Sequence, residues 1–278
     1  MNCLVTGATG FIGAALCDAL EQQGEAIQRC GREAPTDSQL AQAEVIYHCA
    51  GIAHRKASEQ EYKTVNHDAT LTLASRAAAQ GVGRFVFISS VNAARSEDVY
   101  GDWKRKTELA LTDAHGMGMS VVSVRPALVY GKGARGNLAK LIALVRCGMP
   151  TPPPGGHRSM ISLDDLCWAL RLLAHHELSH GCVLVATDGE SYSLARLHAA
   201  IRAALGRRGT AAPGQGWIWR LACAAQDLLR GLPGSGETWQ QLFATAEYSN
   251  ASLLAALPWQ PKQTFESCIA SMLRAPSG

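Results

Sequence analysis

A chain of 278 residues with 47% hydrophobic content can bury a large core, either as one domain or as a main domain with a smaller partner. Charged residues make up 18% and the formal net charge is +3, with no run of like charges, which argues against a nucleic-acid surface. No apolar run reaches the ~18 residues of a membrane helix, and the first residues lack the basic-then-apolar pattern of a secretory signal.

Along the chain, residues 2–5 are a short apolar run and residues 11–23 have helical spacing that Gly24 ends. Residues 26–30 and 45–49 are the second and third strand candidates. A long helical stretch follows over 62–80 and stops at Gly81. Residues 85–89 read as a fourth strand, 100–115 as a helix and 121–124 as a fifth strand. Strands that alternate with helices predict βαβ units and a parallel sheet covered on both faces. The strand C-termini then share one edge, where ligands bind. After Pro126 the texture changes to a loop over 131–136, a helix over 137–147, a proline-glycine stretch over 150–156, and glycine breaks over 206–216 and 231–236. This reads as a smaller lobe interleaved with the end of the first.

Nine cysteines are scattered without a Cys-x-x-Cys pair, and many sit in apolar runs. Free thiols in a reducing cytosol, with neither a disulfide framework nor a zinc site, are expected. His175, His176 and His180 cluster near one helix end beside Glu177, but without fitting acidic or cysteine partners, so no metal is assigned to them. The segment from Trp217 to Cys223 has the apolar content of an interfacial helix but no basic face. A helix packed on the protein's own body is the favoured reading.

Thr6-Gly7-Ala8-Thr9-Gly10-Phe11-Ile12-Gly13 joins the first strand to the first helix. Gly7 permits the tight turn, Gly10 lets backbone N–H groups approach a pyrophosphate, and Gly13 lets helix and sheet pack closely. With the free N–H groups of the helix start, this predicts a nicotinamide dinucleotide held by Gly7, Thr9, Gly10, Phe11 and Ile12. The second strand ends in Cys30-Gly31-Arg32, with Arg29 close by and no acid before Glu33. A guanidinium grips a 2′-phosphate bidentately, so Arg29, Gly31 and Arg32 favour NADP(H). The alternative is NAD(H), with both arginines solvated and Glu33 on the ribose. Tyr100 and Lys104 are spaced i, i+4 and share a helix face, and Ser90 ends the preceding strand. A nearby ammonium is expected to lower the tyrosine's pKa.

Those residues, together with Tyr47-His48-Cys49-Ala50-Gly51, Val65-Asn66, Phe85 to Ser90 and Arg125-Pro126-Ala127-Leu128-Val129-Tyr130-Gly131, resemble the extended short-chain dehydrogenase/reductases. More narrowly, the chain is similar to their nucleotide-sugar epimerase/dehydratase/reductase group. The resemblance implies an α/β fold: a Rossmann-type doubly wound parallel sheet with a smaller, mostly helical substrate-binding lobe. It implies a division into 1–135 (with a returning segment near 157–187) for the dinucleotide and 136–156 with 188–278 for the substrate. Ser90, Tyr100 and Lys104 match the family's catalytic positions. Cys49, Ala50, Gly51, Lys104 and Pro126 fall on the cofactor side, and Asn66 and Ser90 on the substrate side. Asn137, in Gly136-Asn137-Leu138, matches the segment that contacts the nucleotide diphosphate, and Arg158 the arginine that meets its phosphate. Pairing of Arg158 with Asp164 or Asp165 is the structural alternative.

Within that group, the dehydratases carry an acid pair directly after the catalytic Ser/Thr position, whereas Ser90 is followed by Val91 and Asn92. The Gly31-Arg32 ending favours a reductase with exchangeable NADPH over a 4-epimerase that keeps NAD bound. The narrowest resemblance is to enzymes that reduce UDP-4-keto-6-deoxy-N-acetylhexosamines for surface polysaccharides. A non-catalytic NADP-binding scaffold stays open as a third reading. A UDP-sugar, no nucleic acid and no membrane span are the expected partners, with a homodimer as one option. Three departures from the family stand out: only nine residues separate Ser90 from Tyr100, the 32–44 connection is short and polar without an obvious strand, and Trp103 stands where relatives often carry a small residue.

Overall fold

The computed structural model describes residues 1–53, 57–95, 98–113, 118–134, 136–207, 216–229 and 231–274. His115, Arg135 and most of the 206–216 break lie outside the described residues. In chain order the first elements are β1 (Asn2–Thr6), α1 (Phe11–Glu21), β2 (Ala26–Cys30), α2 (Asp37–Gln42) and β3 (Val45–His48). Then come α3 (Glu59–Tyr62), a π-helical segment (Lys63–Asp68), α4 (Ala69–Ala79), β4 (Arg84–Ile88), α5 (Asn92–Arg95) and α6 (Val99–Asp113). Next are β5 (Ser120–Pro126), β6 (Leu128–Tyr130), α7 (Asn137–Arg146), β7 (His157–Ser162), α8 (Leu163–His175), β8 (Cys182–Ala186) and β9 (Ser191–Ser193). The described chain ends through α9 (Leu194–Ala204), α10 (Gly216–Leu229), α11 (Glu237–Phe243), α12 (Ala251–Ala256) and α13 (Phe265–Arg274).

Two compact units emerge. The first comprises Met1–Ala127, Leu163–Thr187 and Ser249–Pro261. Its six-stranded sheet has the order β2-β1-β3-β4-β5-β8, and every pairing is parallel. The strands are buried runs such as Phe85-Val86-Phe87-Ile88, the signature of a sheet covered on both faces. Helices α1 and α8 pack together, as do α2 with α4 and α4 with α6. Leu4, Ile46, Phe85 and Phe87 form one core with Leu40, Leu73, Ala77 and Leu111 from α2, α4 and α6. Each such phenylalanine contributes on the order of 2–3 kcal/mol by leaving water. The doubly wound sheet expected from the sequence is therefore present.

The short 32–44 connection holds α2, started by a Thr36–Gln39 capping box, and no strand. β2 is consequently an edge strand. The expected single helix over 62–80 instead starts at Glu59, behind a Ser58–Glu61 capping box, and is widened into a π turn at Lys63–Asp68 before α4. The wider turn carries buried Asn66. Segment 249–261 belongs to the first unit because α12 packs on β8 and the Trp259 indole donates to the Asp165 carbonyl at 3.1 Å.

The second unit comprises Leu128–Ser162, Asp188–Tyr248 and Lys262–Gly278, with a three-stranded sheet β6-β7-β9. Its core joins Tyr130, Leu141, Val145, Met160, Tyr192, Leu197, Ile201, Phe265 and Ile269. The buried Asp188 carboxylate accepts from the Tyr130 and Tyr192 hydroxyls, each at 2.8 Å. Helix α10 packs on α11 through buried Cys223 and Asp227, while Trp217, Leu221 and Leu228 are 59%, 61% and 64% exposed. The expectation of a helix packed on the protein's own body thus holds for one face only. Among the described residues no helix is long and apolar enough to cross a membrane.

Candidate active site

The sheet is parallel, so the C-terminal ends of β1, β3, β4 and β5 share one edge, and the strand order reverses beside β1. The glycine turn leaves β1 at this edge. Gly7 adopts φ +66, and a Cβ there would stand 2.7 Å from the Ala50 nitrogen, so side chains are excluded on both counts. A Cβ on Gly13 would meet the Gly7 carbonyl carbon at 2.8 Å. Gly10 caps α1 without any side-chain hydrogen bond, which leaves the first N–H groups of the helix, at Phe11 and Ile12, for an anion. Thr9 and Gly10 are exposed. This uncapped turn fits a dinucleotide pyrophosphate.

At the end of β2, Gly31 lies against the Thr9 side chain, and Arg32 and Glu33 are exposed. Arg29 is placed elsewhere. Its guanidinium grips Glu21 (3.1 and 2.8 Å) and Asp18 (2.9 Å) on α1, and these hydrogen bonds raise its pKa. The expectation of Arg29 as a 2′-phosphate ligand is corrected accordingly, since one strand residue earlier than Cys30 the side chain faces α1. Of the two arginines read for the 2′-phosphate, Arg32 remains at the strand tip.

At the end of β3, Cys49 and Ala50 are half-buried, and Gly51 and Ile52 lie over Asn66. The Asn66 amide accepts from the Ile52 N–H at 2.7 Å and donates to the Ile52 carbonyl at 2.9 Å. It is 1% exposed. The expected substrate contact is therefore replaced by a loop-holding role. Pro126, buried at the end of β5, accepts from the Val91 N–H at 3.1 Å and so ties β5 to the segment after Ser90.

Ser90 follows β4, and its oxygen accepts from the Asn92 N–H at 3.2 Å. The nine-residue spacing to Tyr100 holds α5 packed directly on α6. Asp98 starts α6 by accepting from the Gly101 N–H at 2.5 Å, and a Cβ on Gly101 would stand 2.6 Å from the Asn92 carbonyl oxygen. Residues 96–97 lie outside the described residues. The compact connection brings Tyr100 to Ser90: burial pushes the Tyr100 pKa up to about 12, and a hydrogen bond from Ser90 opposes that rise. The Tyr62 ring lies 5.9 Å from the Tyr100 ring.

Lys104 is 4% exposed and donates to the Ile88 carbonyl at 2.7 Å, with its ammonium 4.5 Å from the Phe87 ring centroid. Burial lowers its pKa to about 8. The expected lowering of the tyrosine by this lysine is not found. The ammonium is directed at Ile88 and Phe87, and burial dominates at Tyr100. Trp103 turns away, its ring 5.4 Å edge-on from His67 and under the Lys106 ammonium.

In the second unit, exposed Asn137 opens α7 behind Gly136. Arg158, half-buried on β7, donates to the Leu242 carbonyl at 2.8 Å, and burial lowers its pKa. The three histidines each have local partners: His175 meets Glu25 at 3.0 Å, His176 the Leu172 carbonyl and His180 the Thr112 carbonyl. All nine cysteines are free. Sequence reasoning missed His48, which is buried between Thr6 (2.7 Å) and Thr70 (3.0 Å). Period-two alternation puts it on a core face, but its hydroxyl partners come from distant segments.

The family profile described as NAD dependent epimerase/dehydratase family matches residues 3–184. The chain is 27% identical to a UDP-glucose 4-epimerase of Vibrio cholerae, over 95% of this chain and 92% of that one. It is 30% identical to a UDP-2-acetamido-2,6-beta-L-arabino-hexul-4-ose reductase of Pseudomonas aeruginosa, over 51% of this chain and 40% of the other. Its fold matches the crystal structure of the Thermus thermophilus UDP-glucose 4-epimerase in complex with NAD, with a TM-score of 0.73 and 21% identity over 99% of this chain and all of the other. A profile match over more than half the chain, joined to a glycine turn, a parallel sheet edge and a Ser-Tyr-Lys group, leads to one conclusion: the chain belongs to the NAD-dependent epimerase/dehydratase family of extended short-chain dehydrogenase/reductases.

Proposed function

We propose that this protein reduces the C4 ketone of a UDP-4-keto-6-deoxy-N-acetylhexosamine with NADPH, in the cytoplasm, for surface polysaccharide synthesis. The observation that carries this reading is the tip of β2, where exposed Arg32 beside Gly31 suits a 2′-phosphate with no acid before Glu33, together with Tyr100 as a phenol hydrogen-bonded to Ser90. A reductase needs a proton donor for the growing alkoxide, whereas an epimerase must first remove a proton from a hydroxyl. Bound NADPH would supply the hydride. Ser90 orients the ketone oxygen by hydrogen bonding, and Tyr100 passes its phenolic proton to that oxygen. Lys104 contributes a positive charge beside the Cys49–Gly51 loop. Gly7, Thr9, Gly10, Phe11 and Ile12 hold the pyrophosphate, and Arg32 beside Gly31 is the group for a 2′-phosphate. From the second unit, Asn137 and Arg158 are assigned to the nucleotide diphosphate of the substrate.

A second reading, 4-epimerisation with retained NAD, is favoured by the relative that spans 95% of the chain. Incubation with NADPH and UDP-4-keto-6-deoxy-N-acetylglucosamine separates the two. Stoichiometric NADPH oxidation is expected, and Tyr100→Phe should cut kcat by about 10²–10³-fold while leaving NADPH binding in place. Interconversion of UDP-glucose and UDP-galactose without net cofactor oxidation would establish the epimerase instead.

A further inference from the structure

His48 lies at the end of β3, 5% exposed, beside the Phe85 and Phe87 rings of β4 at 5.7 and 6.1 Å. Its Nδ1 is 2.7 Å from the Thr6 hydroxyl, at the mouth of the glycine turn. Its Nε2 is 3.0 Å from the Thr70 hydroxyl on α4. Thr70 has one hydroxyl proton and two acceptors at 3.0 Å, the Asn66 carbonyl and His48 Nε2; sent to the carbonyl, which can only accept, it lets all three groups bond. The Thr70 oxygen must then accept from His48, which places the ring proton on Nε2. The Nδ1 lone pair in turn accepts from Thr6. The Thr107 hydroxyl of α6, the helix that carries Tyr100 and Lys104, gives its one proton to the Trp103 carbonyl at 2.7 Å and packs against the Asn66 carbonyl at 3.1 Å. The Asn66 side chain holds Ile52 of the loop after β3.

We propose that His48 is a positioning residue: fixed as its Nε2–H tautomer, it couples the glycine turn through Thr6 to Thr70 and Asn66, against whose carbonyl Thr107 packs, and so sets the turn, the Cys49–Gly51 loop and the Tyr100–Lys104 helix relative to one another. This rests on reading those parts as one site. With the tautomer reversed, Nδ1–H would donate to Thr6 and Nε2 would take the Thr70 proton, so the Thr70–Asn66 bond would be lost. Burial and the Lys104 ammonium also hold the ring neutral, with its pKa lowered to about 3. A neutral, single-tautomer imidazole serves as a fixed spacer rather than as a proton carrier.

The test compares Thr70→Val, which keeps the shape and removes the hydroxyl, with Thr70→Ser, which restores it. Ring-nitrogen NMR of the wild-type protein should show the Nε2–H tautomer at His48, without titration above pH 5. The tautomer should persist in Thr70→Ser and be lost in Thr70→Val. The NADPH dissociation constant, read by fluorescence titration, should rise about fivefold in Thr70→Val and stay within about twofold in Thr70→Ser, the range of one lost hydrogen bond. In the same variants kcat should follow the tautomer. An Nδ1–H tautomer, a titration near the ordinary histidine range, or equal behaviour of the two variants would overturn the inference. Absence of wild-type turnover would count against the proposed reaction alone, because the NMR and cofactor-binding results decide the role of His48 without it.

Discussion

At the residue scale, Lys104 shows how position sets charge. Water is withheld from its ammonium, one carbonyl and one aromatic face replace it, and the pKa falls from 10.5 to about 8. Between these values the unfolded chain binds a proton there that the folded chain does not, so this group's contribution to stability rises with pH across the window. Below about pH 8 both states are protonated, and the folded state carries the full cost of the buried charge. A Lys104→Met variant should therefore gain most over the wild type below about pH 8, and its advantage should shrink as pH rises toward 10.5. Urea midpoints of both proteins from pH 7 to 10 check this, and a difference that does not change with pH would refute it. The i, i+4 pattern of Tyr100 and Lys104 was readable in the sequence because helix geometry guarantees a shared face. The direction of the tyrosine's pKa was not, because it depends on how much water the fold excludes and on where the lysine's ammonium is aimed. Arg29 and Asn66 teach the same point. Each residue type suited a ligand, and each found a partner within the chain first.

At the element scale, α6 is the part that matters most, since it carries Tyr100, Lys104, Thr107 and Glu108. It is fastened to β5 by a two-pronged ion pair from Arg125 to Glu108, at 2.9 and 2.5 Å, with Glu108 3% exposed. Removing one partner of such a pair leaves a charge with little water. Glu108→Gln is expected to lower unfolding free energy by about 3 kcal/mol, measured by urea denaturation, and a loss below about 1 kcal/mol would mean that water already reaches the pair. The order of strands and helices was legible because apolar runs of period two and spacings of period 3.6 differ plainly. The π turn at Lys63–Asp68 was not. It adds one residue to a helical turn without altering composition, and only the need to bury Asn66 under Ile52 distinguishes it. The connection between β2 and β3 was read as lacking a strand, and it holds a capped two-turn helix.

At the scale of the whole molecule, burial decides which thiols react. Among the nine free cysteines, Cys3 and Cys49 have pKa values pushed up to about 12 by burial, whereas Cys147, just past the end of α7, is exposed. Brief maleimide labelling of the native protein should therefore modify Cys147 first, as read by peptide mapping. Faster labelling of Cys3 would show that the first unit opens more readily than its packing suggests. The two units also divide differently from the boundaries read in the sequence. The first ends at Ala127 and regains residues 249–261, because Trp259 and α12 dock on elements far away in the chain.

The parallel sheet, the glycine turn and the spacing of Ser90, Tyr100 and Lys104 were legible in the order of residues, because each rests on local rules: strand and helix periods, the space a Cβ would occupy, and i, i+4 geometry. Only the tertiary structure decided which polar side chains are left for a ligand and which are used within the chain. Arg29 went to Asp18 and Glu21, Asn66 to Ile52, and His48 to Thr6 and Thr70. A polar group removed from water binds whichever partner the fold brings within about 3 Å, and those partners lie tens of residues away along the chain.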